Sequence, residues 1–308
     1  MSYAVLFPGQ GSQFVGMGAD VFVARPDLLR TEADAALGWS LQELCAVGPE
    51  EELTRTDRAQ PALYATAYAL WEAFRDAVGF DPVAAAGHSL GEYTALAAAG
   101  VFDFSTGLRL VAARGVAMDV AAQLEDSGMA ALIGVDEATA ETVAATRRDA
   151  GGLLWVANLN APGQIVVAGG AEDIEWVVAN GRDFGVGRAM PLKVAGAFHS
   201  PYMAVAAEQL AAALGATDFA PPRFPVYANA TGGPVADVAT NLEEQLVSPV
   251  RFAASLEAMV AAGVDTFVHV GPGDVTAGMV KRTVPDASVL VVSVLDDIPA
   301  VAEALNVQ

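Results

Sequence analysis

Cysteine occurs once, at Cys45, which excludes an internal disulfide and leaves no thiolate set for a structural zinc. Lysine is almost as scarce: of 16 basic residues only Lys193 and Lys281 are lysines, against 37 acidic residues. The resulting net charge of −21 argues against nucleic acid as a partner, because its phosphates would be repelled. Long apolar runs are missing too. Hydrophobic residues make up 54% of the chain and the mean hydropathy is +0.39, so a large core is available. Yet no uncharged run approaches the ~20 residues that span a bilayer. The opening MSYAVLFPGQGS has no positive charge ahead of its apolar run, so no signal peptide is read there. The expectation is a cytoplasmic monomer with no membrane partner, no metal and no resident cofactor.

What is present is organised around Pro82–Tyr93, PVAAAGHSLGEY. Small apolar residues from Val83 to Ala86 predict a short buried strand, and Tyr93–Ala99 predicts a helix. Between them Gly87-His88-Ser89-Leu90-Gly91 fits the G-x-S-x-G nucleophile elbow. Such a turn needs residues without a Cβ on either side of the serine, since a larger one would strike the strand or the helix. It lifts the Ser89 hydroxyl out of the sheet and leaves backbone N–H groups at a helix start, where developing negative charge is favoured. A five-residue pattern also arises by chance, as an ordinary glycine-rich connection.

The 308 residues allow one large domain or two of ordinary size. Tyr3–Phe7 predicts a buried parallel strand, followed by the glycine-rich turn Gly9-Gln10-Gly11. That turn lacks the third glycine and downstream acid of a dinucleotide site. Gln60-Pro61 predicts the start of a long helix ending near Val78, and Phe104 to about Ala121 predicts another. From Met129 to Val194 the pattern reads β-α-β-β-α-β, the ferredoxin-like order, with a turn at Asn160-Ala161-Pro162-Gly163. His199 is read as opening a helix that runs to about Leu214. Phe224–Ala228, Thr266–Val270 and Val289–Ser293 predict further strands between helices. The sum is an α/β chain with a mostly parallel sheet, helices on both faces, and a small inserted subdomain.

A serine nucleophile needs a base, and only three histidines exist. His88 adjoins Ser89 and should point away from its hydroxyl, as a structural hydrogen-bonder under the turn. His269 lies between Val268 and Val270, most simply as a core or strand-end histidine. His199 follows the turn Gly196-Ala197-Phe198, from which it can reach a pocket. Arg114 and Met118 sit one turn apart on the Phe104–Ala121 helix. By frequency, an arginine there belongs on the surface, because arginine is seldom buried without a partner.

PGQGSQ at Pro8–Gln13, QPAL at Gln60–Leu63, GHSLGEY at Gly87–Tyr93, RG-x-AM at Arg114–Met118, NAPGQIV at Asn160–Val166, GAFHS at Gly196–Ser200, QLVSPVRF at Gln245–Phe252 and GPG at Gly271–Gly273 together resemble the malonyl-CoA:acyl carrier protein transacylases. They stand in that family's order and cover nearly the whole chain. The resemblance implies a hydrolase-like α/β large subdomain, 1–126 and 196–308, with a ferredoxin-like insert at 127–195. It implies Ser89 as nucleophile and His199 as its base, oriented by the backbone carbonyl of Gln245, so that no triad aspartate is needed. The N–H groups of Gln10 and Leu90 would form the oxyanion hole, and Arg114 would bind the malonyl carboxylate. Phe198, Met118 and Asn160 would line or support the pocket. CoA and phosphopantetheine enter only as carriers of the acyl group, and the partner is a phosphopantetheinylated acyl carrier protein. Phe198 beside His199, and Leu90 after Ser89, resemble the malonyl rather than the methylmalonyl form. The acidic surface suits an acidic carrier protein only if Arg188, Lys193, Arg251, Lys281 and Arg282 form a local basic patch. Fatty-acid synthesis is the implied setting. The alternatives are a trans-acting acyltransferase of polyketide synthesis and, less readily, a serine hydrolase or thioesterase.

Overall fold

A computed structural model describes residues 2–306. Five strands, β1 (Tyr3–Phe7), β2 (Ala84–Gly87), β7 (Val226–Tyr227), β8 (Thr266–Val270) and β9 (Ser288–Val292), form a wholly parallel sheet in the order β7-β2-β1-β8-β9. The apolar run of β1 has a simple cause. Tyr3, Val5 and Phe7 enter a core with Leu70, Trp71 and Leu108, while Ala4 and Leu6 enter a second core with Leu256, Met259 and Val280. A strand buried on both faces has no polar side to show, so period-2 alternation disappears.

Four short helices follow β1: α1 (Ala19–Ala24), α2 (Ala33–Leu37), α3 (Leu41–Val47) and α4 (Glu50–Thr54). The long helix α5 covers Thr56–Val78 and so begins a turn before the predicted start at Gln60. Pro61 lies inside it, where its missing N–H leaves the Asp57 carbonyl without the usual partner. Helices α6 (Gly91–Ala98) and α7 (Phe104–Ala122) follow β2. Gly115 of α7 meets the first turn of α5 so closely that a Cβ there would lie 3.0 Å from the Thr56 carbonyl oxygen. This contact brings neighbouring Arg114 within reach of Gln60.

The chain then builds a separate antiparallel sheet from β3 (Ser127–Ile133), β4 (Leu154–Ala161), β5 (Gln164–Gly170) and β6 (Arg188–Pro191), in the order β4-β5-β3-β6. Helix α8 (Glu137–Asp149) joins β3 to β4 and α9 (Ala171–Asn180) follows β5, which completes the β-α-β-β-α-β order. This sheet has its own core, including Leu132, Val143, Leu154 and Val167. It is tied to the parallel unit through backbone bonds from Leu159 to Val250 (2.8 Å) and from Val250 to Ala157 (2.9 Å).

The remaining helices are α10 (Ala204–Gly215), α11 (Val238–Val247), α12 (Phe252–Ala261), α13 (Val275–Thr283) and α14 (Ile298–Asn306). Some predicted boundaries shift for local reasons. Asn160 and Ala161 belong to β4 rather than to a turn, because Ala161 still pairs with Gln164 and only Pro162-Gly163 reverses the chain. His199 does not open an α-helix: Ser200 caps a 3-10 turn at Pro201–Met203, and α10 begins only at Ala204. No helix among the described residues is long and apolar enough to cross a membrane.

The elbow depends on two glycines. A Cβ on Gly87 would sit 1.9 Å from the Gly91 carbonyl carbon, and one on Gly91 would sit 2.3 Å from the Phe7 carbonyl oxygen. Both obstacles are backbone and cannot rotate away. Gly91→Ala should therefore lower stability by about 3 kcal/mol or more. Gly278→Ala, with open space in the interior of α13, should be neutral or stabilise by up to about 1 kcal/mol. Chemical denaturation of the two variants checks this; equal effects would contradict it.

Candidate active site

The site starts from strand register. Phe7 pairs with Gly87, so the loops after β1 and β2 leave the sheet side by side. Gly9 lies so close to the elbow that a Cβ would fall 2.3 Å from the His88 carbonyl oxygen. Gln10 and Leu90 thus come from adjacent loops, and neither backbone N–H has a hydrogen-bond partner among the described residues. The Gln10 side chain donates to Thr56 Oγ1 at 3.4 Å.

Only two non-glycine residues among those described have positive φ, Ser89 at 51° and His199 at 57°. That conformation costs an L-residue roughly 1–2 kcal/mol, and here both strained residues meet. Ser89 Oγ lies 2.8 Å from His199 Nε2. His199 Nδ1 lies 2.9 Å from the Gln245 carbonyl oxygen, which can only accept. The proton of the neutral ring is therefore on Nδ1, leaving Nε2 to accept from the serine hydroxyl. Burial, and after it the charge of Arg114, pushes the His199 pKa down to about 3. The Ser89 N–H donates to Asn229 Oδ1 at 2.6 Å, and Asn229 Nδ2 donates to the Gly87 carbonyl at 2.7 Å, which clamps the elbow from the β7 side.

The other two histidines stand apart from the hydroxyl. His88 Nε2 donates to Asn160 Oδ1 at 2.7 Å, so Asn160 holds the residue beneath the elbow. His269 is enclosed between Thr276 Oγ1 (2.5 Å) and the Gly271 carbonyl (3.1 Å). Burial lowers the pKa of both, that of His269 to about 4.

Arg114 corrects the surface reading that residue frequency gives. It is only 1% exposed. One terminal nitrogen donates to Gln60 Oε1 at 2.7 Å, and the other to Gln245 Oε1 (3.0 Å) and Ser89 Oγ (3.1 Å). The guanidinium lies 5.5 Å from the centre of the Tyr93 ring, and its Nε has no partner. Among the described residues it forms no salt bridge. Burial lowers its pKa, but a guanidinium remains protonated at any ordinary pH. Gln60 in turn donates to Met118 Sδ at 3.3 Å, and Phe198 is buried beside His199. Four buried polar residues here were not singled out from the sequence: Gln60 as a partner of Arg114, Glu92, Asn229 and Asn241. Glu92 alone left a signal, a lone acid on the otherwise uncharged helix α6, every residue of which is buried.

Of the five cations considered for a basic patch, Arg251 is paired with Glu137 at 3.2 Å. Arg188, Lys193, Lys281 and Arg282 form no salt bridge among the described residues.

Residues 5–300 match the acyl transferase domain family. The malonyl CoA-acyl carrier protein transacylase of Bacillus subtilis is 43% identical, covering 91% of this chain and 89% of its own. That of Escherichia coli K12 is 40% identical over 99% of both chains. Among solved structures, a malonyl-transacylase in complex with a type II polyketide synthase acyl-carrier protein superposes with a TM-score of 0.94 at 36% identity, over 99% of this chain and 100% of its own.

The three histidines carry a pH signature. Their unperturbed pKa is 6.5, and burial lowers each in the folded protein. Above 6.5 they are neutral in both states. As the pH falls below it, the unfolded chain takes up protons that the folded chain refuses, so this contribution to stability is lost toward acid. Glu92, whose pKa burial raises, acts in the opposite sense. His269→Gln removes one histidine outside the Ser89 cluster, so its melting temperature should depend on pH less steeply than wild type between 6.5 and 4. Parallel curves from differential scanning calorimetry would contradict this.

Proposed function

We propose, from the premise that this chain belongs to the acyl transferase domain family, that it moves a malonyl group from malonyl-CoA to the phosphopantetheine thiol of an acyl carrier protein. The observation that carries this reading is Arg114. A buried guanidinium without a carboxylate partner lies 3.1 Å from the hydroxyl that His199 can deprotonate. In a malonyl thioester one methylene separates the reacting carbonyl from the free carboxylate. A cation at that distance from the nucleophile is placed to meet the carboxylate while the carbonyl meets the serine.

The malonyl carboxylate takes the guanidinium nitrogen that Ser89 Oγ and Gln245 Oε1 share. His199 Nε2 accepts the Ser89 proton as Oγ attacks the thioester carbon, and the oxyanion is met by the N–H groups of Gln10 and Leu90. The carbon–sulfur bond breaks, the proton passes from His199 to the departing CoA sulfur, and a malonyl ester remains on Ser89. The carrier thiol then attacks the ester, giving its proton to His199, and Ser89 leaves with that proton. The Gln245 carbonyl serves both halves by stabilising the Nδ1–H side of the imidazolium, the task an aspartate performs in a hydrolase triad. No resident cofactor takes part.

Fatty-acid synthesis is the primary setting. A polyketide carrier is the second, favoured by the likeness to the transacylase solved with such a carrier. We read the protein as a cytoplasmic monomer that approaches neither nucleic acid nor membrane, in keeping with its charge of −21. Arg188, Lys193, Lys281 and Arg282 are the cations left to receive an acidic carrier.

Intact-protein mass spectrometry after mixing with acyl-CoAs tests the reading. Malonyl-CoA should add one malonyl group, and Ser89→Ala should abolish the adduct. Arg114→Ala should slow malonylation by roughly 10²–10⁴-fold, the loss of two charge-assisted hydrogen bonds, while acetylation stays level or rises. An equal fall in both rates would make Arg114 structural and favour a hydrolase.

A further inference from the structure

Three carboxylate or guanidinium side chains among the described residues are buried: Glu92, Arg114 and Asp173. Asp173 has a direct ionic partner, Arg147 Nε at 2.5 Å. Glu92 and Arg114 form no salt bridge, and one residue stands between them. Gln245 Nε2 donates to Glu92 Oε2 at 2.7 Å, and its Oε1 accepts from Arg114 at 3.0 Å. A carboxylate only accepts and a guanidinium only donates, so this orientation of the amide is the one that satisfies both. The other contacts of Glu92 are donors as well: the Asn229 N–H at 3.0 Å and the Asn241 amide. Burial raises its pKa, but bonds from Gln245, Asn229 and Asn241 and the charge of Arg114 all favour the anion.

We propose that Glu92 is the counter-charge of Arg114, held at one remove through the Gln245 side chain, and that this spacing sets how tightly the site grips a carboxylate. A bare guanidinium in the interior would be costly in the empty enzyme and would hold a malonyl group too firmly to pass it on. A direct Glu–Arg pair would leave the guanidinium no capacity for substrate. The relayed pair avoids both: the buried charges cancel at a distance, and the Arg114 nitrogen beside Ser89 is held only by neutral acceptors that a substrate carboxylate can displace. Glu92 is thus a specificity-setting residue that touches neither substrate nor hydroxyl. The consequence for malonyl rests on the function proposed above. The pairing of the two charges does not.

Glu92→Gln keeps the shape and removes the charge. It should lower the melting temperature of the empty protein and raise its affinity for free malonate by about tenfold or more, from removal of a nearby negative charge. The KM for malonyl-CoA should fall together with kcat, because the acyl group is held more tightly before transfer. A residue that merely supports the fold would weaken malonate binding or leave it unchanged, and that result would overturn the proposal. Glu92→Gln/Arg114→Met removes both charges, so it should melt higher than Glu92→Gln alone and lose the gain in malonate binding. If Glu92→Gln does not fold by itself, the double variant must still yield folded protein; additive destabilisation would refute the pairing. A positive stability cycle without malonylation of Ser89 would uphold the charge pair and sink the malonyl reading instead.

Discussion

Gln245 joins the parts of this site that the rest depends on. Its carbonyl receives His199 Nδ1, its side-chain oxygen receives Arg114, and its side-chain nitrogen donates to Glu92 Oε2 and, at 3.0 Å, to the Ser89 carbonyl. One residue near the end of α11 therefore fixes the tautomer of His199, the position of Arg114 and the floor of the elbow. Because each contact is directional, a shift of α11 would disturb all of them together. On the proposed function, this carbonyl takes the place of the buried aspartate of a hydrolase triad: fixed by a helix, it orients the imidazole without placing a further anion on the His199 ring.

Strain is concentrated where these bonds can hold it. Ser89 and His199 alone among non-glycine described residues have positive φ, and each is secured from outside its own loop. Asn229, 140 residues away in sequence, takes the Ser89 N–H, and Gln245, 46 residues away, takes the His199 ring. The parallel register of β1 and β2 adds the third constraint, bringing the Gln10 and Leu90 loops together at one end of the sheet. Sheet, elbow and His199 are thus coupled by the strand register together with the Asn229 amide and the Gln245 carbonyl.

The elements that read clearly in the sequence are those with local causes. Gly87 and Gly91 mark a turn that only residues without a Cβ can make, and the β-α-β-β-α-β rhythm of 129–194 follows from alternation and capping within each element. Arg114 did not read that way, because frequency treats an arginine by itself. Its burial depends on Gln60 and Gln245, 54 and 131 residues distant, which replace water as acceptors. Pro61 marked a helix start on local grounds, but packing against Gly115 holds the preceding turn helical. The role of the Gln245 carbonyl has no residue-type signature at all, since any residue carries one; it was reached only through resemblance.

A crystal structure of the malonylated protein would show whether the proposed acyl group on Ser89 is held by its carboxylate at Arg114. The carboxylate is expected across the terminal nitrogens of Arg114, with the ester oxygen against the N–H groups of Gln10 and Leu90 and His199 still bonded to Gln245. An ordered malonyl group pointing away from an Arg114 that keeps its bonds to Gln60 and Gln245 would contradict it.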